Sequence, residues 1–170
     1  ETLFADTRSS LKKLDPEHRK KLEELEAVCS LAHHDKKISL YSPGYPTLNE
    51  KERAANPPNR VPLVLHHPVS GEAAIYGLNS STCAIVPKGE IISDSDLNVW
   101  DLEGKEDDSV KILRDLLPFM TAPDFTVKWT WQEGDIVVWD NRCTMHAATG
   151  FDDKNYSREM WRLTLLQSNS

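Results

Sequence analysis

The chain has 170 residues, 39% of them apolar and 28% charged, with a net charge of −7. That length suits one domain able to bury a core, and the acidic balance argues against nucleic acid or an anionic membrane as the main partner, since both attract basic surfaces. No apolar run approaches the roughly 20 residues of a membrane span. No signal-peptide pattern is visible, and the three dispersed cysteines, Cys29, Cys83 and Cys143, fit reduced thiols in a cytoplasmic setting.

The chain opens on Glu1 rather than Met, which reads as a processed or truncated piece. Residues 6–28 read as helical, with Leu11, Leu14, Leu22, Leu25 and Val28 at three- and four-residue steps among Lys and Glu. Asp15-Pro16-Glu17 splits this stretch, because Asp15 can cap a second helix whose first turn holds Pro16 and Glu17. Residues 41–62 carry Pro43, Pro46, Pro57, Pro58 and Pro62 and read as loop, with one helical turn around 49–55. Short apolar strands are predicted at 63–67 and 73–78, on either side of the turn signal Pro68-Val69-Ser70-Gly71.

Residues 88–109 are acidic and poor in apolar side chains, the composition of a solvated insertion. An amphipathic helix is predicted over 109–122, with Val110, Leu113, Leu116 and Leu117 on one side. From Phe125 to Gln132 the apolar residues fall at 125, 127, 129 and 131, a strand period with one face buried and one polar. Glu133-Gly134 turns the chain into a strand from Ile136 to Trp139, and a last strand is predicted from Met160 to Gln167. Helices early and antiparallel strands late, with no internal repeat, point to a mainly β sandwich or open barrel with helices outside, in a single domain over 1–170.

The run Trp139-Asp-Asn-Arg-Cys-Thr-Met-His146 carries the chemical interest. A histidine just past a strand suits a metal ligand, although a lone histidine is more often structural. Cys143 and His146 have a zinc-like spacing, but a second such pair is absent. A Cys143 nucleophile with His146 as its base has no better support. Arg158 and Arg162 lie four residues apart. On one strand they would point the same way, roughly 13 Å apart. One carboxylate cannot span both, so they imply two anionic groups, or one buried arginine with a structural partner.

Taken together, these residues and Arg158-Glu-Met-Trp-Arg162 resemble the taurine dioxygenase family of iron(II)- and 2-oxoglutarate-dependent oxygenases, which includes the dichlorophenoxyacetate dioxygenases. Three further stretches agree: Glu1-Thr2-Leu3-Phe4-Ala5-Asp6-Thr7, His67-Pro-Val-Ser-Gly71, and Trp129-Thr-Trp-Gln-Glu-Gly-Asp135. The resemblance implies a double-stranded β-helix, a cupin-like jelly roll with flanking helices, lacking its N-terminal strands. It implies that His146 is the distal Fe(2+) ligand and that Thr2 and Arg158 hold the far carboxylate of 2-oxoglutarate. Arg162 would meet the anionic group of the primary substrate, with Asn79 and Ser81 as weaker pocket candidates that suit turn formation equally well.

The implied reaction is hydroxylation of a small organic anion, sulfonate- or carboxylate-like, by molecular oxygen, with succinate and carbon dioxide as co-products. A facial triad needs a second histidine and a carboxylate. The string His33-His34-Asp35 has the family's His-x-Asp form but falls after the Thr-Leu segment rather than before it. It reads as a decoy, with the other two ligands expected ahead of Glu1. The loop between His146 and Arg158 is one residue longer than in taurine dioxygenase, and the 88–109 insertion is unlike the compact bacterial enzymes. Two rival readings stay open: a catalytically inactive truncated homologue serving as a binding module, and a β-rich domain similar at the level of fold alone. Nothing in the sequence decides whether the protein forms a homo-oligomer.

Overall fold

The structure, a computed structural model, describes residues 1–93 and 108–165. Its strands pair antiparallel throughout. In the first sheet β1 (Thr2–Asp6) lies between β7 (Thr126–Trp129) and β8 (Thr144–Ala148). In the second β2 (Leu25–Cys29) lies between β3 (Asn59–Pro62) and β6 (Thr82–Pro87). A hairpin of β4 (Val64–His66) and β5 (Ala73–Ile75) completes the set. The connections carry α1 (Thr7–Lys13), α2 (Pro16–Glu23), α3 (Leu31–Tyr41), α4 (Glu50–Ala55) and α5 (Asp108–Met120). One core joins Leu11 of α1, Val28 of β2, Leu63, Ile85 of β6, and Leu113 and Met120 of α5.

Helix starts follow local chemistry. Asp6 ends β1 and caps α1, accepting the N–H groups of Arg8 and Ser9 at 3.0 and 3.3 Å. Asp15 caps α2 with Pro16 in its first turn, as the sequence predicts. Asn49 and Glu52 form a reciprocal capping box that starts α4 inside the Pro-rich stretch.

Several expectations need correcting. Residues 25–29 are not the end of a helix but the central strand β2. Ala27 and Val28 are both buried, and a strand covered on both faces loses the alternation that would have revealed it. The same cause hid β6, whose residues 82–86 are all buried. The order of helices early and strands late also fails, because β1 opens the chain and pairs with β7 and β8 from its far end. Ile136–Trp139 belongs to no strand of the described sheets, with Ile136 and Val138 exposed and Val137 and Trp139 half-buried. The predicted last strand is absent among the described residues, where Trp161, Leu163 and Leu165 are exposed. Alternation alone makes no strand without a neighbour to take its hydrogen bonds. Most of the predicted 88–109 insertion, residues 94–107, lies outside the described residues.

Gly77 shows how closely the hairpin packs on the second sheet. Its φ is +76°, and an added Cβ would come within 2.7 Å of the Val61 side chain and 2.9 Å of Ala27 Cβ. Gly77→Ala is therefore expected to cost roughly 2–5 kcal/mol, from left-handed strain plus overpacking. A urea titration would read this as a lower midpoint with an unchanged slope.

Candidate active site

The site is built on the first sheet. β1 pairs Phe4 with His146 and Thr2 with Ala148 on one side, and Phe4 with Val127 and Thr2 with Trp129 on the other. Directly paired residues share a face, so Thr2, Phe4 and His146 look the same way. The opposite face carries Ala5, buried, and Met145, packed against the core. Val127 and Trp129 therefore do not face the core, as their period suggested, but flank the site, 67% and 44% exposed.

A cleft of about 430 Å³ opens beside this face, bounded by Phe4, Val127, Trp129, Val138, Trp139 and Thr144. The Trp139 ring lies 4.9 Å from the His146 ring and 5.1 Å from Phe4. Thr2 is buried, and its Oγ1 accepts the indole N–H of Trp131 at 2.8 Å. A hydroxyl that accepts at its oxygen keeps its own proton to donate, which suits an anionic oxygen placed on this face.

His146 is an exposed position of β8, and partial desolvation together with the charge of Arg162 sets its pKa below the ordinary histidine value. The shift favours the neutral imidazole, the form that coordinates a metal. Because its folded pKa lies below the unfolded one, the unfolded chain binds the proton better. Stability contributed by neutral His146 is present above the ordinary histidine value and is lost as pH falls through that value toward the folded one. An NMR titration should find the His146 midpoint below the usual histidine value, and Arg162→Ala should move it upward.

The remaining candidates are distributed unevenly. The Arg158 guanidinium stacks on the Phe151 ring at 4.6 Å. Arg158 and Arg162 lie on an exposed segment with no strand to align them. None of Thr2, His146, Arg158, Arg162, Asn79 and Ser81 is among the residues lining the cleft, which borders the site rather than containing it. Asn79 Oδ1 accepts both the Ser81 N–H, at 2.8 Å, and the Ser81 hydroxyl, at 2.6 Å, so their polar groups serve the turn before β6. Cys143 Sγ points to the Asp140 carbonyl at 3.8 Å.

His33 and Asp35 belong to α3, where the Asp35 carboxylate accepts the Leu48 N–H at 3.1 Å and the Tyr45 hydroxyl at 3.4 Å. This carboxylate is occupied in holding a loop. Among the described residues no group of three His, Cys, Asp or Glu side chains could hold a metal ion. His146 can contribute one ligand, and the residues described do not by themselves make an iron centre. Sequence reasoning assigned no role to Trp131 and Trp139. Their signal was present in the Trp-rich run before His146, but only the fold reveals that one indole meets Thr2 and the other His146.

Residues 1–164 match the family described as Taurine catabolism dioxygenase TauD, TfdA family. The alpha-ketoglutarate-dependent 2,4-dichlorophenoxyacetate dioxygenase of Burkholderia sp. (strain RASC) is 28% identical over 167 residues, 98% of this chain and 48% of that protein. Pentalenolactone F synthase of Streptomyces arenae is 31% identical over 157 residues, 89% of this chain and 47% of that protein. The structure of AAD-2 in complex with Mn(II) and N-oxalylglycine superposes with a TM-score of 0.68 at 29% identity, covering 91% of this chain and 52% of that one. The jelly-roll fold expected from the resemblance is that of these neighbours, and the family's alpha-ketoglutarate-dependent enzymes use Fe(2+) and 2-oxoglutarate. The chain spans about half the length of the curated relatives it matches. It belongs to the TauD, TfdA family of dioxygenases.

Proposed function

We propose that the protein acts as an iron(II)- and 2-oxoglutarate-dependent dioxygenase on a small organic anion, releasing succinate and carbon dioxide. The observation that carries this reading is the β1–β8 register, which turns the Thr2 hydroxyl and the His146 imidazole to one face of the sheet. In this reading His146 supplies one metal ligand, with the other two coming from outside the described residues. Thr2 and Arg158 hold the far carboxylate of 2-oxoglutarate, and Arg162 takes the anionic group of the substrate. The carboxylate of dichlorophenoxyacetate, the compound named for the Burkholderia relative, is an anion of the required kind. Asn79 and Ser81 serve the turn.

The alternative reading is an inactive homologue that binds a partner. One experiment separates the two. The full-length protein is incubated with iron(II), 2-oxoglutarate and oxygen, and succinate is measured with and without a panel of aryloxy carboxylates, sulfonates and sulfate esters. Succinate formation stimulated by one of these anions supports the enzyme. Absence of succinate under every condition supports the inactive homologue.

A further inference from the structure

The turn between β4 and β5 reaches across to the segment in front of β8, and the link is His67. Its side chain is 12% exposed. Its Nδ1 accepts the backbone N–H groups of Val69 and Ser70, both at 3.2 Å. A neutral imidazole accepts at one nitrogen and donates from the other, so the proton resides on Nε2, which donates to Asp140 Oδ2 at 3.0 Å. Asp140 is also gripped by Arg142, whose Nε lies 2.8 and 3.1 Å from the two carboxylate oxygens and whose backbone N–H donates at 2.9 Å. The Asp140 carbonyl accepts the Cys143 N–H at 3.2 Å, and the Cys143 carbonyl accepts the Thr7 N–H at 3.1 Å. Asp140 is thus tied to the hairpin turn through His67, while its own loop is tied to the start of α1.

The residue before Asp140 is Trp139, whose ring packs on both His146 and Phe4. Among the described residues nothing hydrogen-bonds the His146 ring, so aromatic contacts from Trp139 and Phe4 set its direction. Metal-ligating imidazoles are ordinarily oriented by a hydrogen bond from their second ring nitrogen; here the two ring contacts stand in that place. We infer that His67 is a positioning residue: its Nε2–H holds Asp140, which fixes Trp139 against the His146 imidazole. The inference rests on the proposal that His146 is a metal ligand, but the geometry it describes needs no metal. The Arg142 guanidinium beside Asp140 holds its carboxyl well below the usual carboxylate range, and the His67 hydrogen bond acts in the same direction. The acceptor of the His67 proton is therefore a carboxylate throughout the neutral range. A turn staple acting only within the hairpin would need the two backbone contacts to Nδ1 and no partner on Nε2.

The test is NMR on metal-free, full-length protein with nitrogen-15-labelled histidine. Wild type should show His67 protonated at Nε2 and bare at Nδ1; the opposite tautomer overturns the inference. His67→Ala should remove the part of the ring-current displacement of the His146 ring protons that Trp139 contributes, leaving the part from Phe4, while the core methyl signals of Ile75 and Ile85 stay in place. His67→Gln, whose amide N–H can reach Asp140, should retain most of that displacement. If His67→Ala fails to fold, Asp140→Asn weakens the same link by removing its charge, and should shift the His146 signals in the same direction by less. His146 signals unmoved in a folded His67→Ala or Asp140→Asn protein overturn the inference. Because no metal is present, that result leaves the ligand role of His146 standing; the ligand role fails separately, if metal binding survives His146→Ala.

Discussion

Arg158→Ala in the full-length protein is expected to weaken 2-oxoglutarate about 10- to 150-fold, the loss of a charge-assisted pair of roughly 1.5–3 kcal/mol. In the structure this guanidinium lies over the Phe151 ring, an arrangement that leaves its N–H edge able to take a carboxylate in the plane of the group. Arg162→Ala is expected to act differently. Its charge is felt by His146, and its proposed partner is the primary substrate, so decarboxylation of 2-oxoglutarate uncoupled from substrate should survive better than hydroxylation. Arg162→Lys should recover only part of the loss, since an ammonium cannot reproduce the planar fork. Succinate formation and substrate loss, measured separately at varied concentrations of each, check this division. If both alanine variants raise the apparent constant for 2-oxoglutarate equally and leave that for the substrate unchanged, Arg162 belongs to the co-substrate.

The second large effect concerns the metal. The 170-residue chain alone is expected to bind iron(II) or Mn(II) weakly, because one imidazole is not a facial triad. His33→Ala and Asp35→Ala should leave that weak binding unchanged. Asp35→Ala should instead lower stability by roughly 1–3 kcal/mol, since it strips partners from the Leu48 N–H and the Tyr45 hydroxyl. Titration with Mn(II), followed by its paramagnetic signal and paired with a urea melt, measures both. Tight one-to-one binding lost in either variant would mean that the α3 pair is a real ligand set.

Sequence and structure agree where local chemistry decides and part where distant pairing does. The cap at Asp15, the helical turn around 49–55, the hairpin around Pro68–Gly71 and helix α5 were legible because each is made by neighbours in the chain. Strands β2 and β6 were not, because burial on both faces erases the alternation that marks a strand. At the site, Thr2 and His146 were legible as candidates from their motifs. Their common face required the β1–β8 register, in which residues 144 apart in sequence look the same way. His33-His34-Asp35 is the reverse case, a motif by spelling whose carboxylate the fold commits to a loop. The partners that make Thr2 and His146 useful, Trp131 and Trp139, could be read as strand residues but not as site residues, since an indole N–H reveals its acceptor only in three dimensions.

If His146 is a metal ligand on the face that also receives 2-oxoglutarate, metal and co-substrate binding are coupled through its imidazole. Calorimetric titration of 2-oxoglutarate into the full-length protein, with and without Mn(II), tests it most directly when repeated on His146→Ala. Mn(II) is expected to strengthen 2-oxoglutarate binding in the wild type and to have no such effect in His146→Ala. Metal-dependent binding of undiminished strength in His146→Ala would contradict it.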